Sequence, residues 1–220
     1  MKVTAIQVAI AEILKPQLGV TEQVLAVHRL TKSDGEFVPL DVHENSEVGR
    51  YFIYFGIEDE PYYFVIVVEQ AQESFTCSAS YIEAAVRVYL CITSLTLDPE
   101  MISHRIGLTP TRSQRTGDLR RSKNSHLKIK EHRWYLEPQK DLPRSLEYKL
   151  AYLLDHLEPM QSRIAQLQDE CKICICICYK GYLSWMGGWH LDQKSIRRIA
   201  ALNTEVDLDL YACGENELPM

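Results

Sequence analysis

Nine residues, Cys171-Lys-Ile-Cys-Ile-Cys-Ile-Cys-Tyr179, constrain the fold of this chain more than any others. Side chains alternate across a strand, so Cys174, Cys176 and Cys178 share one face and Ile173, Ile175 and Ile177 the other. Free cysteine behaves as a small hydrophobe, which makes both faces apolar. A strand apolar on both faces is expected inside a sheet that is covered on both sides. Lys180-Gly181 then turns the chain, and Tyr182–Trp185 reads as a hairpin partner, broken by a bulge or bend at Gly187-Gly188. Four cysteines in eight residues also raise a metal reading. Cys171-x-x-Cys174 is a single knuckle within a strand, and its two thiols point to opposite faces. Buried packing is the expectation, with no metal and no cofactor.

At 220 residues the chain fits one large domain or two small ones. No apolar run approaches the ~18 residues of a membrane-spanning helix. The start, Met-Lys-Val-Thr-Ala-Ile-Gln, lacks the apolar core of a secretory signal, and seven cysteines is an odd number. The expectation is a reduced, cytoplasmic protein without a membrane partner. Charge is uneven: residues 1–75 carry five Lys/Arg against twelve Asp/Glu, and the remainder nineteen against eighteen. That asymmetry suggests an acidic unit over 1–75 and a near-neutral one over 76–220.

In the first unit, Val3, Ile6, Ile10, Ile13 and Leu14 have helical spacing and predict a helix ending at Lys15, before Pro16. Gln23–Thr31 reads as a strand, Lys32–Gly35 as a turn, and Asp41–Gly49 as a polar connection. Arg50–Gly56 and Tyr62–Val68 read as strands joined by the hairpin-length loop Glu58–Pro61. Their aromatics fit a two-sided hairpin core better than a pocket. Gln70–Ser74 reads as the linker. This unit is expected to be a helix on a small antiparallel sheet, of the cystatin-like kind.

In the second unit, Ala84–Thr93 alternates as a strand. Leu97-Asp-Pro-Glu-Met-Ile102 predicts a helix capped by Asp98, with Pro99 at its first position, a Leu97–Ile102 staple and Gly107 at its end. Leu191-Asp-Gln-Lys-Ser-Ile196 repeats the device, with a helix to about Leu202. Asp98 and Asp192 therefore read as caps and not as catalytic carboxylates. Leu146, Leu150, Leu153, Leu154 and Leu157 form the apolar face of a long helix closed by Glu158-Pro159. Glu205–Tyr211 alternates acid and apolar, as a strand with one wet face. The expected class is α+β, the second unit a ferredoxin-like sandwich with a basic insertion at 112–133.

Ordered landmarks accompany these elements: Leu97-Asp-Pro-Glu-x-Ile102, Gly107-Leu-Thr-Pro-Thr111, Gly117-Asp118, Trp134, Leu157-Glu-Pro159 and Asp207-x-Asp-x-Tyr211. Over residues ~80–213 the chain resembles the bacterial family known as domain of unknown function 4279. The resemblance implies α+β architecture and a bacterial source. It transfers no activity and no functional residue.

The best functional lead is the stretch Arg112–Arg133, with Arg112, Arg115, Arg120, Arg121, Lys123, Lys128, Lys130 and Arg133 against Asp118 and Glu131. Such a loop can neutralise phosphates, and Trp134 could stack a base. The near-neutral charge of the unit and the absence of a recognition-helix or aromatic-sheet signature argue against a dedicated nucleic-acid binder. Trp185, Trp189 and His190, around Gly187-Gly188, form a second candidate surface. No phosphate-cradling glycine loop and no nucleophile elbow occurs, so no catalytic residue is assigned. The expected function is non-catalytic binding of another protein, of an immunity or regulatory type. Nucleic-acid or polyphosphate binding through 112–133 is the alternative, and an unrecognised enzyme the third reading.

Overall fold

The computed structural model describes residues 2–72, 74–119 and 127–214. Two helices, Lys2–Leu14 (α1) and Gly19–Val27 (α2), lead into the strands Asp41–Asn45 (β1), Arg50–Gly56 (β2), Tyr63–Ala71 (β3) and Ser74–Glu83 (β4). These form an antiparallel sheet in sequential order. Ala5, Ala9, Ile13 and Val24 of the helices bury against Tyr51, Ile53, Phe55, Phe64, Ile66 and Val68. The expected two-sided hairpin core is present: Tyr54, Val65 and Val67 are buried on the opposite sheet face.

Three expectations for this region are corrected. Gln23–Thr31 is not a strand, because α2 runs through Val27 and only the following residues extend, with Leu30 bridging Ile57. Thr21 and Val24, three apart, are both fully buried, so tertiary packing overrides the strand preference of β-branched residues. Glu12 fixes the turn between the helices: its buried carboxylate accepts hydrogen bonds from the backbone N–H groups of Gln17 and Leu18. The polar Asp41–Gly49 stretch contains β1, an edge strand in which only Val42 is buried. Gln70–Ser74 is not a linker but the end of β3 and the turn into β4, with Gln72 at φ 56°. The first sheet thus continues to Glu83, beyond the expected boundary at residue 75.

The second sheet follows at once. Ala85–Ser94 (β5), helix Pro99–Ile106 (α3), Arg112–Gln114 (β6), His132–Leu136 (β7) and helix Leu146–Leu157 (α4) come first. A 3-10 turn, Glu158–Met160, leads to the short helix Gln161–Ala165 (α5), then Lys172–Tyr182 (β8), helix Gln193–Leu202 (α6) and Glu205–Cys213 (β9). The strand order is β6-β7-β5-β8-β9. Both helix caps form as expected: Asp98 accepts from the Met101 N–H at 2.8 Å and Asp192 from the Ser195 N–H at 2.7 Å. Gly107 ends α3 at φ 81°, where a β-carbon would meet the Arg163 guanidinium. The second staple does not close, because Ile196 is 53% exposed.

The α+β class holds. The two β-α units are nevertheless of different kinds: β5 and β6, which flank α3, run parallel with β7 between them, whereas β8 and β9, which flank α6, are parallel direct neighbours. A ferredoxin-like split unit would separate such a parallel pair by a third strand. The strand expected at Tyr182–Trp185 does not form; β8 continues to Tyr182, and Trp185 makes an isolated bridge to it. Tyr182 crosses into the first core, 5.1 Å from the Tyr62 ring and 5.0 Å from His28.

Candidate functional site

One face of the second sheet carries the core and the other is open. Val88, Leu90, Ile92, Ile173, Ile175 and Ile177 lie beneath the helices, against Ile102, Leu150, Leu153 and Leu157. Among the described residues the cysteine face has no such layer: Cys91, Cys176 and Cys178 are half-buried, and Cys174 is buried among its strand neighbours. The expectation that β8 is covered on both sides is therefore corrected for this face. Strand register sets its other members. Arg87, Tyr89 and Cys91 face outward on β5, and Arg133 and Tyr135 on β7. Glu205, Asp207 and Asp209 stand beside Cys174, Cys176 and Cys178.

The face is polarised from edge to edge. At the β6 side a cleft of about 510 Å³ is lined by Arg87, Tyr89, Arg112, Tyr135, Glu137 and Lys140. Arg112 lies over the Tyr135 ring at 4.1 Å. Arg87 makes a bidentate pair with the buried Glu137 carboxylate, at 2.8 and 2.6 Å. Behind this pair, buried Lys149 donates to the Val86 carbonyl at 2.6 Å, and burial lowers its pKa to about 8. In the middle, the Cys174 and Cys176 sulfurs and an Asp207 oxygen lie within 4.8 Å of one another. Cys91 stands opposite Cys174 in the β5–β8 register, and burial pushes the Cys174 thiol up to about 12. The far edge, β9, is acidic and, among the described residues, pairs only with β8.

Of the candidate cations, Arg112 and Arg133 are brought onto this face. Arg133 pairs with Glu131 at 3.0 Å and Arg115 with Glu100 at 2.6 Å, so both charges are locally offset. Lys128 and Lys130 are exposed in the segment before β7. Arg120, Arg121 and Lys123 lie outside the described residues. Trp134 is not a stacking platform: it is fully buried on the core face, and its indole N–H donates to Ser103 Oγ at 2.9 Å. Trp185 and Trp189 are each 39% exposed, and the exposed His190 donates its backbone N–H to Glu147 at 2.6 Å. They follow Tyr182, whereas Arg112 and Arg133 stand at the levels of Cys174 and Lys172, at the other end of β8. Eight to ten strand steps separate these levels, roughly 26–33 Å, so the two candidate surfaces do not make one site.

Sequence reasoning missed two features. The Cys-x-Cys pair meets Asp207 only through the parallel β8–β9 register, which Asp207 itself does not announce. A cleft of about 580 Å³ lies where the two sheets meet, lined by His28, Arg29, Glu58, Asp59, Glu60 and Gly214. Burial lowers the pKa of His28 there.

The family described as Domain of unknown function (DUF4279) matches residues 84–213. The chain belongs to this family. The DUF4279 match begins where the first sheet ends, at Ala84, and closes with the last residue of β9. It therefore contains the whole open-faced sheet with its polarised surface, and the preceding helices and first sheet lie outside it. No curated protein and no solved structure matches the chain. Among the described residues no single helix is long and apolar enough to cross a membrane.

Proposed function

We propose that this chain is a protein-binding module that takes an extended basic segment of its partner onto the free edge of β9. The observation that carries this reading is the edge itself. Glu205–Cys213 is nine residues long, pairs only with β8 among the described residues, and exposes Val206, Leu210 and Tyr211. Natural edge strands are blunted by charged side chains (lysine above all), by proline, by a bulge or by extreme shortness, and the only charges on β9 are acidic, which leaves it open to a basic strand. β9 contains no lysine or proline, and its register with β8 has no shift. Strand addition there would satisfy open backbone groups, while side chains supply selectivity. Glu205 and Asp209 favour Lys or Arg on one face, and Val206 and Leu210 favour apolar residues on the other.

Such capture suits a regulatory or immunity-type protein that covers its partner, and it needs no catalytic group. The acidic row disfavours phosphate on the β9 side. A nucleic acid would have to use the β6–β7 end, where Arg115 and Arg133 already have carboxylate partners.

Hydrogen exchange of the full chain, alone and with a partner captured from its host and identified, tests the reading. Slowed exchange across Glu205–Cys213, and loss of capture in Asp209→Lys, are expected. Protection confined to residues 112–136, or capture abolished by nuclease, would replace strand addition with nucleic-acid binding.

A further inference from the structure

Strand addition at the β9 edge leaves the thiols in the middle of the open face unused. We propose that Cys174, Cys176 and Asp207 form a binding site for a thiophilic divalent cation, with zinc as the best chemical match. The argument begins with donor type. Thiolates favour soft or borderline cations, and a sulfur-rich set with one carboxylate excludes magnesium and calcium, which take oxygen ligands.

Geometry comes next. The two sulfurs and the Asp207 oxygen lie within 4.8 Å of one another. A tetrahedral zinc with Zn–S bonds of about 2.3 Å holds its sulfurs about 3.8 Å apart. The gap is on the order of one ångström, within reach of side-chain rotation alone. Cys91 stands opposite Cys174 in the β5–β8 register, on the same sheet face. Two adjacent strands hold the three donors, so the backbone geometry is set before any ion arrives.

Access and charge agree with the assignment. Asp207 is exposed and Cys176 half-buried, which leaves the ion a route from solvent. Glu205 and Asp209 flank Asp207 on the same face and add a negative field that attracts a cation. Each thiol that ligates releases its proton, and the bound cation supplies the positive charge that stabilises the thiolate. The knuckle visible in the sequence, Cys171-x-x-Cys174, is not the one used. The alternate-residue pair Cys174-x-Cys176 is, because only residues two apart share a strand face.

The test uses the reduced full-length protein titrated with cobalt(II), followed by zinc competition and metal analysis. One cobalt per chain, with sulfur-to-cobalt charge-transfer absorption and tetrahedral visible bands, is expected. Cys176→Ala should weaken zinc binding at least roughly 100-fold, and Asp207→Asn by about 10-fold or more, from the sensitivity of such sites to their donors and supports. Asp207 is on the surface, so its variant tests the site without disturbing the core. Cys178→Ala, on the same strand face but outside the donor set, should bind as the parent does. No charge-transfer band, equal affinity in the parent and both donor variants, or one metal shared between two chains would overturn the proposal.

Discussion

Arg87 on β5 grips Glu137, just past β7, through two parallel hydrogen bonds of 2.8 and 2.6 Å. The pair is unequal, because the arginine side chain is 45% exposed and the carboxylate 7%. Removing either partner therefore has a different cost. Arg87→Ala leaves a buried carboxylate uncompensated and should destabilise the protein by about 2–3 kcal/mol. Glu137→Gln leaves an arginine that can turn to water and should cost about 1 kcal/mol. Urea denaturation of both variants checks the order, and equal losses would contradict it.

Trp134 and Ser103 make the corresponding test on the core face. The indole N–H is buried and donates to Ser103 Oγ, which in turn donates to the Pro99 carbonyl. Ser103→Ala strands that N–H and should cost about 1–3 kcal/mol. In a Trp134→Phe background the same substitution should cost much less, and a double-mutant cycle measures the difference.

Glu83 gives a pH dependence. Its carboxyl is pushed up to about 7, first by burial and then by the nearby charge of Glu147. The folded chain then holds this proton at pH values where the unfolded chain, with an ordinary carboxyl near 4.5, has lost it. The contribution to stability is therefore full below about 4.5, falls as pH rises towards 7, and is constant above. Glu83→Gln should flatten the stability profile in that window, as denaturation midpoints measured from pH 4.5 to 8 would reveal. An unchanged slope would remove Glu83 as its source.

Arg144 links the two sheets. It pairs with Asp41 on β1, and its guanidinium lies 5.3 Å from the Tyr54 ring and 5.5 Å from Tyr148. Arg144 itself is only 7% exposed. Arg144→Ala removes both ring contacts and leaves Asp41 unpaired, an expected loss of about 3 kcal/mol. Asp41→Asn should cost less, since the tyrosines still hold the cation; thermal unfolding of the two variants provides the comparison.

Local chemistry made much of this fold readable. The caps at Asp98 and Asp192 depend on an oxygen reaching an N–H three residues away, so a short motif suffices. The leucines of α4 and the aromatics of β2 and β3 announce themselves by period. β1 and β4 were not legible because edge and half-exposed strands carry polar residues that resemble connections. α2 was not legible because Val and Thr prefer strands until a packing surface reverses that preference. Trp134 read as a surface aromatic among cations, yet the pleat turns it inward and leaves Arg133 and Tyr135 facing out.

The sequence alone determined the α+β class, the family of residues 84–213, the helix starts at Asp98 and Asp192, and the division of β8 into an isoleucine face and a cysteine face. All of these depend on contacts within a few residues or on the two-residue alternation of a strand. Tertiary structure alone decided which faces are covered and which distant residues meet. It left the cysteine face open, put Asp207 beside Cys176, and separated the basic segment from Trp185 and Trp189 by the length of β8. The physical reason is that burial and cross-strand pairing are properties of register and layer order. These are fixed by the summed packing of the whole chain, and no local stretch of residues encodes them.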